Sequence, residues 1–379
     1  MNLLSTILLS ASSNAYATNE KKVDMHPAMR NSYANLTPLT VITSRIGSRT
    51  AKNTRIDWTE GEEVPHTVVV GTDGSATLTI ANWAYLRIAD TLFVPRTKEV
   101  IRVSATPTGT AVTVVRGIGG SSEASILPTD IVQIMSPSKE EAADEQNSRQ
   151  VTDTNQYNYT QIINHFIQTS KSTLKEETFF GPKRVENQAK MWREYRIKVE
   201  KQLYFGYRAS TAGGAYNYRV MGGLVEKLAT GTNVYTVPGL LTETGFDNWL
   251  DKVYSNMADA TSLTLFASPR LISVINRFAK EKIQTSPKTK EYGMNLRRYF
   301  GAVDVDLVRC PLLSGDTTLQ GWGFLLDMNR VNLAYLRKPM LLKNTYTERA
   351  EYVEDKIESE LSFILSNEMA HGFIEGVTG

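Results

Sequence analysis

The stretch that most constrains this chain is 181–205, GPKRVENQAKMWREYRIKVEKQLYF, in which no glycine or proline follows Pro182. As a helix it extends ~36 Å at 1.5 Å per residue, so the pattern predicts one long helix over 181–206. Pro182 suits a first helical position, where its missing N–H has no intrahelical partner to lose. Val185, Ala189, Trp192, Val199 and Leu203 recur at steps of three, four and seven, which predicts an apolar packing stripe. Lys190, Arg193, Glu194 and Arg196 fall on the charged face, with Lys183, Arg184, Lys198 and Lys201 beside Glu186 and Glu200. One side is expected to pack; the others are charged and mostly cationic.

Around this helix the texture changes several times. Residues 1–47 lack sustained periodicity and read as an N-terminal arm, with room for a short helix. The first 17 residues, MNLLSTILLSASSNAYA, resemble a short signal peptide but have no basic residue before the apolar run; the other reading is an arm that orders against a neighbour. Residues 48–66 and 137–156 are polar ribbons flanking a β-rich segment, 67–136, whose short alternating runs predict a small barrel or sandwich. A two-stranded ribbon is at best marginally stable alone, so this loop is expected to be ordered by another molecule. Its candidate contacts are Arg55, Ile56, Asp57, Trp58, Glu60, Glu62 and Glu63.

After the helix, RASTAGGAYNYRVMGGLVEKLA reads as a glycine-rich bend. Strand and helix patterns then alternate over 235–325, with Phe246, Leu250, Val253 and Met257 on one helical face and Ser268-Pro269 opening another helix. The segment GWGFLLDMNRVNLAYL continues a β pattern, and the tail alternates through Ile357, Leu361, Phe363 and Leu365 as a strand returning beside the long helix.

Chemistry-bearing motifs are scarce. The net charge of +2 argues against a polybasic nucleic-acid binder, and one cysteine forbids an intrachain disulfide. The sequence contains no HExxH, no nucleophile elbow, no Walker lysine and no dinucleotide-binding glycine signature. RGIGGSSEAS reads as a turn, Cys310 as a packed thiol and His371 as a packed histidine. No catalytic, cofactor or metal residue is assigned, and the chain is not read as an enzyme.

The order of these parts, carried by VPRTKEVIRVSATPTGTAVTVVRGIGGSS, NQYNYTQIINHF, the spine-helix segment and SNEMAHGFIEG, resembles the major capsid proteins of tailed bacteriophages. Their fold is the α+β Hong Kong 97 type, here the branch with a small β-barrel inserted in the extended loop. The resemblance implies an extended loop of 48–66 with 137–172 and an insertion domain of 67–136. It implies a peripheral domain of 173–234 with 326–379 and an axial domain of 235–325. It also implies self-assembly into hexamers and pentamers of an icosahedral or prolate head that encloses double-stranded DNA, contacted non-specifically. Portal and scaffolding proteins, a decoration protein, virion location, assembly in the host cytoplasm and absence of any membrane contact follow in the same way. Some relatives crosslink a loop lysine; Lys52 lies in that loop, but no partner asparagine or glutamate is assigned. The alternative is a secreted β-rich adhesin or binding module, on the signal-like start; a hydrolase or transferase has no motif behind it.

Overall fold

The computed structural model describes residues 37–378 apart from 62–63, 73, 75, 140, 142–150, 177–181, 214–215, 256–262, 279–282, 285–289, 292–293, 296, 301–303 and 345–350. The signal-like start, Glu62, Glu63, Gly181 and Met257 lie outside the described residues.

In chain order come helix α1 (Pro38–Ile46), β1 (Ser48–Thr50) and β2 (Arg55–Glu60), then β3 (Thr67–Thr72), β4 (Thr77–Ile80), β5 (Asp90–Val94), β6 (Glu99–Val103), β7 (Ala111–Val115) and β8 (Ile131–Pro137). Next are β9 (Thr154–Tyr159), β10 (Gln161–Ser170), α2 (Lys171–Lys175), α3 (Lys183–Phe205), β11 (Ala209–Gly213), β12 (Tyr216–Val220), α4 (Leu224–Leu228) and β13 (Val234–Thr236). They are followed by α5 (Glu243–Ser255), β14 (Leu263–Ala267), α6 (Pro269–Phe278), β15 (Ile283–Gln284), β16 (Lys290–Glu291), β17 (Met294–Asn295), β18 (Arg297–Phe300) and β19 (Asp304–Arg309). The chain ends through β20 (Gly323–Leu326), β21 (Val331–Leu342), β22 (Tyr352–Leu365) and β23 (Gly372–Glu375). These elements divide between two units, residues 59–156 and the remainder.

The smaller unit is a closed barrel in the order β3-β4-β7-β6-β5-β8. Strict alternation builds it: Val68 and Val70, Leu92 and Val94, Ile101 and Val103, and Val112 and Val114 point inward, and Leu86 and Ile126 pack into the same core. Closure removes the unpaired strand edges that an open sheet of this size would present. Among these apolar side chains Glu99 is fully buried. Its carboxylate accepts from Arg116 at 2.7 and 2.8 Å and from the backbone N–H of Gly117 (3.2 Å) and Ala124 (3.3 Å). Gly117, Gly119 and Gly120 all have positive φ, so RGIGGSS is a turn wrapped around a buried ion pair.

In the larger unit, the described residues form a four-stranded sheet, β1-β21-β22-β10, and a seven-stranded sheet, β13-β23-β20-β14-β19-β18-β15. The four-stranded sheet pairs all of β10 with β22, from Gln161 opposite Leu361 to Ser170 opposite Tyr352. Helix α3 packs on β10 and β22. The seven-stranded sheet is covered on both faces: Phe266, Val308, Phe324, Leu326 and Phe373 enter the core shared with α3, while Leu265, Leu307, Leu325 and Ile374 enter a second core with Phe246, Trp249 and Leu271 of α5 and α6. Ser268 caps α6, its hydroxyl accepting from the Leu271 N–H at 3.0 Å.

Four sequence expectations need correction. The buried apolar positions of α3 are Met191, Tyr195, Val199, Leu203 and Tyr204, whereas Val185 is 63% exposed and Ala189 is also exposed. The packing face starts with polar side chains instead: Arg184 and Gln188 donate to Asp355 of β22, and Asn187 to Thr169 of β10. Trp192 is only partly buried, its ring edge-on to Tyr195 at 5.8 Å. The tail does not stay in one sheet, because β23 leaves the four-stranded sheet and inserts between β13 and β20. The glycine-rich bend is largely a hairpin, β11 with β12.

Asp355 shows what the polar start of the face achieves. The Arg184 guanidinium, then Gln188 and the Asn344 N–H, outweigh burial and hold its carboxyl down to about 2. His371 is buried and neutral, pushed down to about 4 by burial; Nδ1 accepts from the Asp327 N–H and Nε2 donates to the Ser366 carbonyl. Burial likewise pushes the Cys310 thiol up to about 12, as expected of a packed thiol rather than a nucleophile.

Candidate functional site

The polar ribbon of the sequence is β2 paired with β9, a two-stranded element with no third strand among the described residues. Its base is fixed by side chains that sequence reasoning passed over. Asn158 of β9 is 2% exposed. Its amide nitrogen donates to the carbonyls of Phe363 (2.7 Å) and Gly222 (3.0 Å), and its amide oxygen accepts from the N–H of Gly222 (2.9 Å) and Tyr159 (2.8 Å). Every donor of that carboxamide is used, so one side chain ties the ribbon to β22 and to the turn before α4. The turn has no spare room, since a Cβ on Gly223 would sit 2.6 Å from the Leu203 carbonyl oxygen.

Two further clamps act beside Asn158. The Tyr157 ring lies between two guanidinium groups, Arg55 at 4.2 Å and Arg208 at 4.5 Å from its centroid. Arg208 also donates to the Tyr157 carbonyl at 3.0 Å and is itself held by Glu226 at 2.9 Å. Thr160 donates to the Glu360 carboxylate at 2.8 Å, which also receives Arg219 and Arg337, each at 3.1 Å. Because these groups are desolvated or partly so, their hydrogen bonds resist water more than exposed pairs do.

The candidate contact residues divide once placed. Ile56 is 8% exposed and packs with Ala51, Ala334 and Ile364, so its side chain is occupied within its own subunit. Trp58 lies partly buried on that cluster, with the Lys227 ammonium 5.8 Å from its ring centroid. Alternation along β2 turns Arg55, Asp57 and Thr59 outward, and Glu60 is half-buried. Arg55 and Asp57 pair with each other at 2.8 Å, and Lys52 is exposed. On α3, Glu194 and Arg196 are exposed, Arg193 is half-buried, and Lys190 pairs with Glu186 at 2.5 Å along its own helix.

Glu200, which the sequence places among charged surface residues, is instead fully buried. Its carboxylate accepts from the backbone N–H of Leu39 (3.0 Å) and Thr40 (2.6 Å) and from the Thr40 hydroxyl (2.5 Å). No signal in the sequence marks it, because its partners are backbone groups 160 and 161 residues away.

Among the described residues no cluster of His, Cys, Asp or Glu is arranged to hold a metal ion. What the arrangement does is mechanical: it fixes a narrow ribbon at its base and leaves one row of side chains outward.

The fold is shared with shell proteins. A capsid protein of an empty GTA particle matches with a TM-score of 0.53 at 9% identity, over 96% of this chain and 98% of that one. The capsid protein of the native GTA particle matches with a TM-score of 0.50 at 8% identity, over 97% and 98%. A protein of Mycobacterium phage Cain aligns over 99% and 98% at 11% identity and a TM-score of 0.45. No curated protein matches the sequence. The fold is thus the α+β Hong Kong 97 type, with a small closed six-stranded barrel. With the SU10 major capsid protein model matching residues 11–378, the chain belongs to that family.

Proposed function

We propose that this capsid-forming chain is the repeating subunit of a tailed-phage head, set as hexamers and pentamers in an icosahedral or prolate shell around double-stranded DNA. Portal and scaffolding proteins, a decoration protein and assembly in the host cytoplasm complete that reading. The observation that carries it is the ribbon. A two-stranded element is marginal alone, yet this one is locked at its base by Asn158, Tyr157 and Thr160 while Arg55, Asp57 and Thr59 face outward. Such an element is suited to lie on another copy. The outward residues Arg55 and Asp57, with Glu60 and the open side of Trp58, are assigned to that contact, and Glu194 and Arg196 of α3 are available to a neighbouring loop. The family match leaves the secreted-adhesin reading without support.

Negative-stain microscopy of the full chain, alone or co-expressed with its assembly partners, should show closed shells of uniform diameter. A monomer under every condition overturns the reading. Within the ribbon, Ile56→Ala should lower subunit stability by about 2–5 kcal/mol, as for a buried Ile→Ala change. Trp58→Ala should cost the subunit only about 1–2 kcal/mol yet reduce shell yield severalfold. Equal loss of stability and yield in both variants would place Trp58 wholly in its own subunit.

A further inference from the structure

Helix α1 has no side-chain cap of its own. Thr37 stands at its N-cap without a capping hydrogen bond, and Pro38 has no N–H to satisfy. The next two amides, Leu39 and Thr40, both donate to Glu200 of α3, and Val41 N–H donates to the Thr37 carbonyl. The cap of α1 is therefore supplied by the spine helix, and Leu39 and Ile42 of α1 enter the same core as Val199 and Leu203. We propose that Glu200 is a proton-operated latch that sets how firmly helix α1 is held on the spine helix.

The geometry makes the latch sensitive to charge. Around the carboxylate, the titratable groups that face it are neutral: the Tyr204 hydroxyl on the same helix and the Cys310 thiol. On the 3-10 turn Met328–Arg330, which also packs on α1, Arg330 is engaged by Asp327 at 3.0 Å. Among the described residues no cation is paired with Glu200, whose oxygens accept from the Leu39 and Thr40 amides and the Thr40 hydroxyl. Burial pushes its carboxyl up to about 7, although the Thr40 hydroxyl and the Thr40 and Leu39 amides pull the other way. Released into water, the same group titrates near its ordinary value of 4.5. Docking therefore favours the protonated form. The docked state is held fully below about pH 4.5, loses strength as pH rises through about 7, and stays at its weaker level above that. Between the two plateaus the docking equilibrium should change on the order of a hundredfold.

Hydrogen exchange of the full chain, expressed as protection factors for residues 38–46 from pH 4 to 8.5, tests this. Wild-type protection should fall toward neutral pH and then level off, while β22 peptides remain unchanged. Glu200→Gln should give one level across the range, since no proton is exchanged. Thr40→Val, which keeps the carboxylate but removes a donor to it, should move the midpoint to higher pH. A flat wild-type profile, a Glu200→Gln variant with the wild-type slope, or an unmoved midpoint in Thr40→Val overturns the proposal. Should Glu200→Gln not fold, the Thr40→Val midpoint decides. These readouts are independent of shell formation.

Discussion

Replacing Arg116 with alanine is expected to destabilise the barrel unit by about 3–5 kcal/mol, the range for removing one partner of a buried ion pair. The Glu99 side chain has no exposed surface and that of Arg116 only 5%, so the orphaned carboxylate would keep just the Gly117 and Ala124 amides. In the intact protein burial pushes the Glu99 carboxyl up, but Arg116 and those amides together hold it below its ordinary range. The pair's stabilisation is thus present above the ordinary carboxyl value of 4.5 and is lost as pH falls through the depressed value. In Arg116→Ala the balance reverses, because burial now dominates and protonation relieves it; the deficit should shrink from pH 7 to pH 4. Exchange protection of β6 and β7 in the full chain reads both effects. Arg96→Ala supplies the contrast: Arg96 meets Asp130 at 2.7 Å but is 44% exposed, and exposed pairs contribute about 0–1 kcal/mol. Equal losses in the two variants would mean that Glu99 is hydrated in solution.

The barrel was legible because one face of each strand is apolar and the other polar, a period that survives without knowledge of the partner strand. The long helix was legible in extent but not in its contact face. Its first turns meet β22 through Arg184 and Gln188, and an apolarity pattern discards such positions. The two open sheets were harder. LTLFA and GFLL are buried on both faces, so they carry no alternation to show which side faces which core. GWGFLLDMNRVNLAYL read as one continuous pattern, yet Asp327 stops it: its carboxylate accepts from the Asn329 N–H at 3.0 Å and sends the chain from the seven-stranded sheet to the four-stranded one. The tail switches back at Asn367, which adopts φ 55°, before β23 joins the larger sheet. Of the site, sequence located the ribbon and missed its anchors. Asn158 and Glu360, like Glu200 at helix α1, act on backbone or on side chains distant in the chain, and local spacing holds no trace of that.

The second large effect is expected at Phe324, in the middle of the seven-stranded sheet. It has no exposed surface, and its ring centroid lies 5.0 Å from that of Phe373, 5.3 Å from Tyr204 and 6.3 Å from Trp322. Phe324 therefore couples β20 and β23 to the C-terminal turn of the spine helix through one aromatic cluster. Truncation to alanine removes those contacts and leaves a cavity that the surrounding strands cannot fill, because Leu325 beside it is committed to the opposite core. The expected cost is about 3–5 kcal/mol, read as a lower urea midpoint with little change in slope. Phe166→Ala, on the 54% exposed face of β10, should stay within about 1 kcal/mol. The contrast also separates folding from assembly. Shell formation binds the folded subunit and raises the apparent stability of wild type and variant alike by mass action, so the Phe324→Ala deficit is to be read in unassembled protein. A Phe324→Ala loss below about 1 kcal/mol in the unassembled chain would mean that the aromatic cluster does not form a packed core in solution.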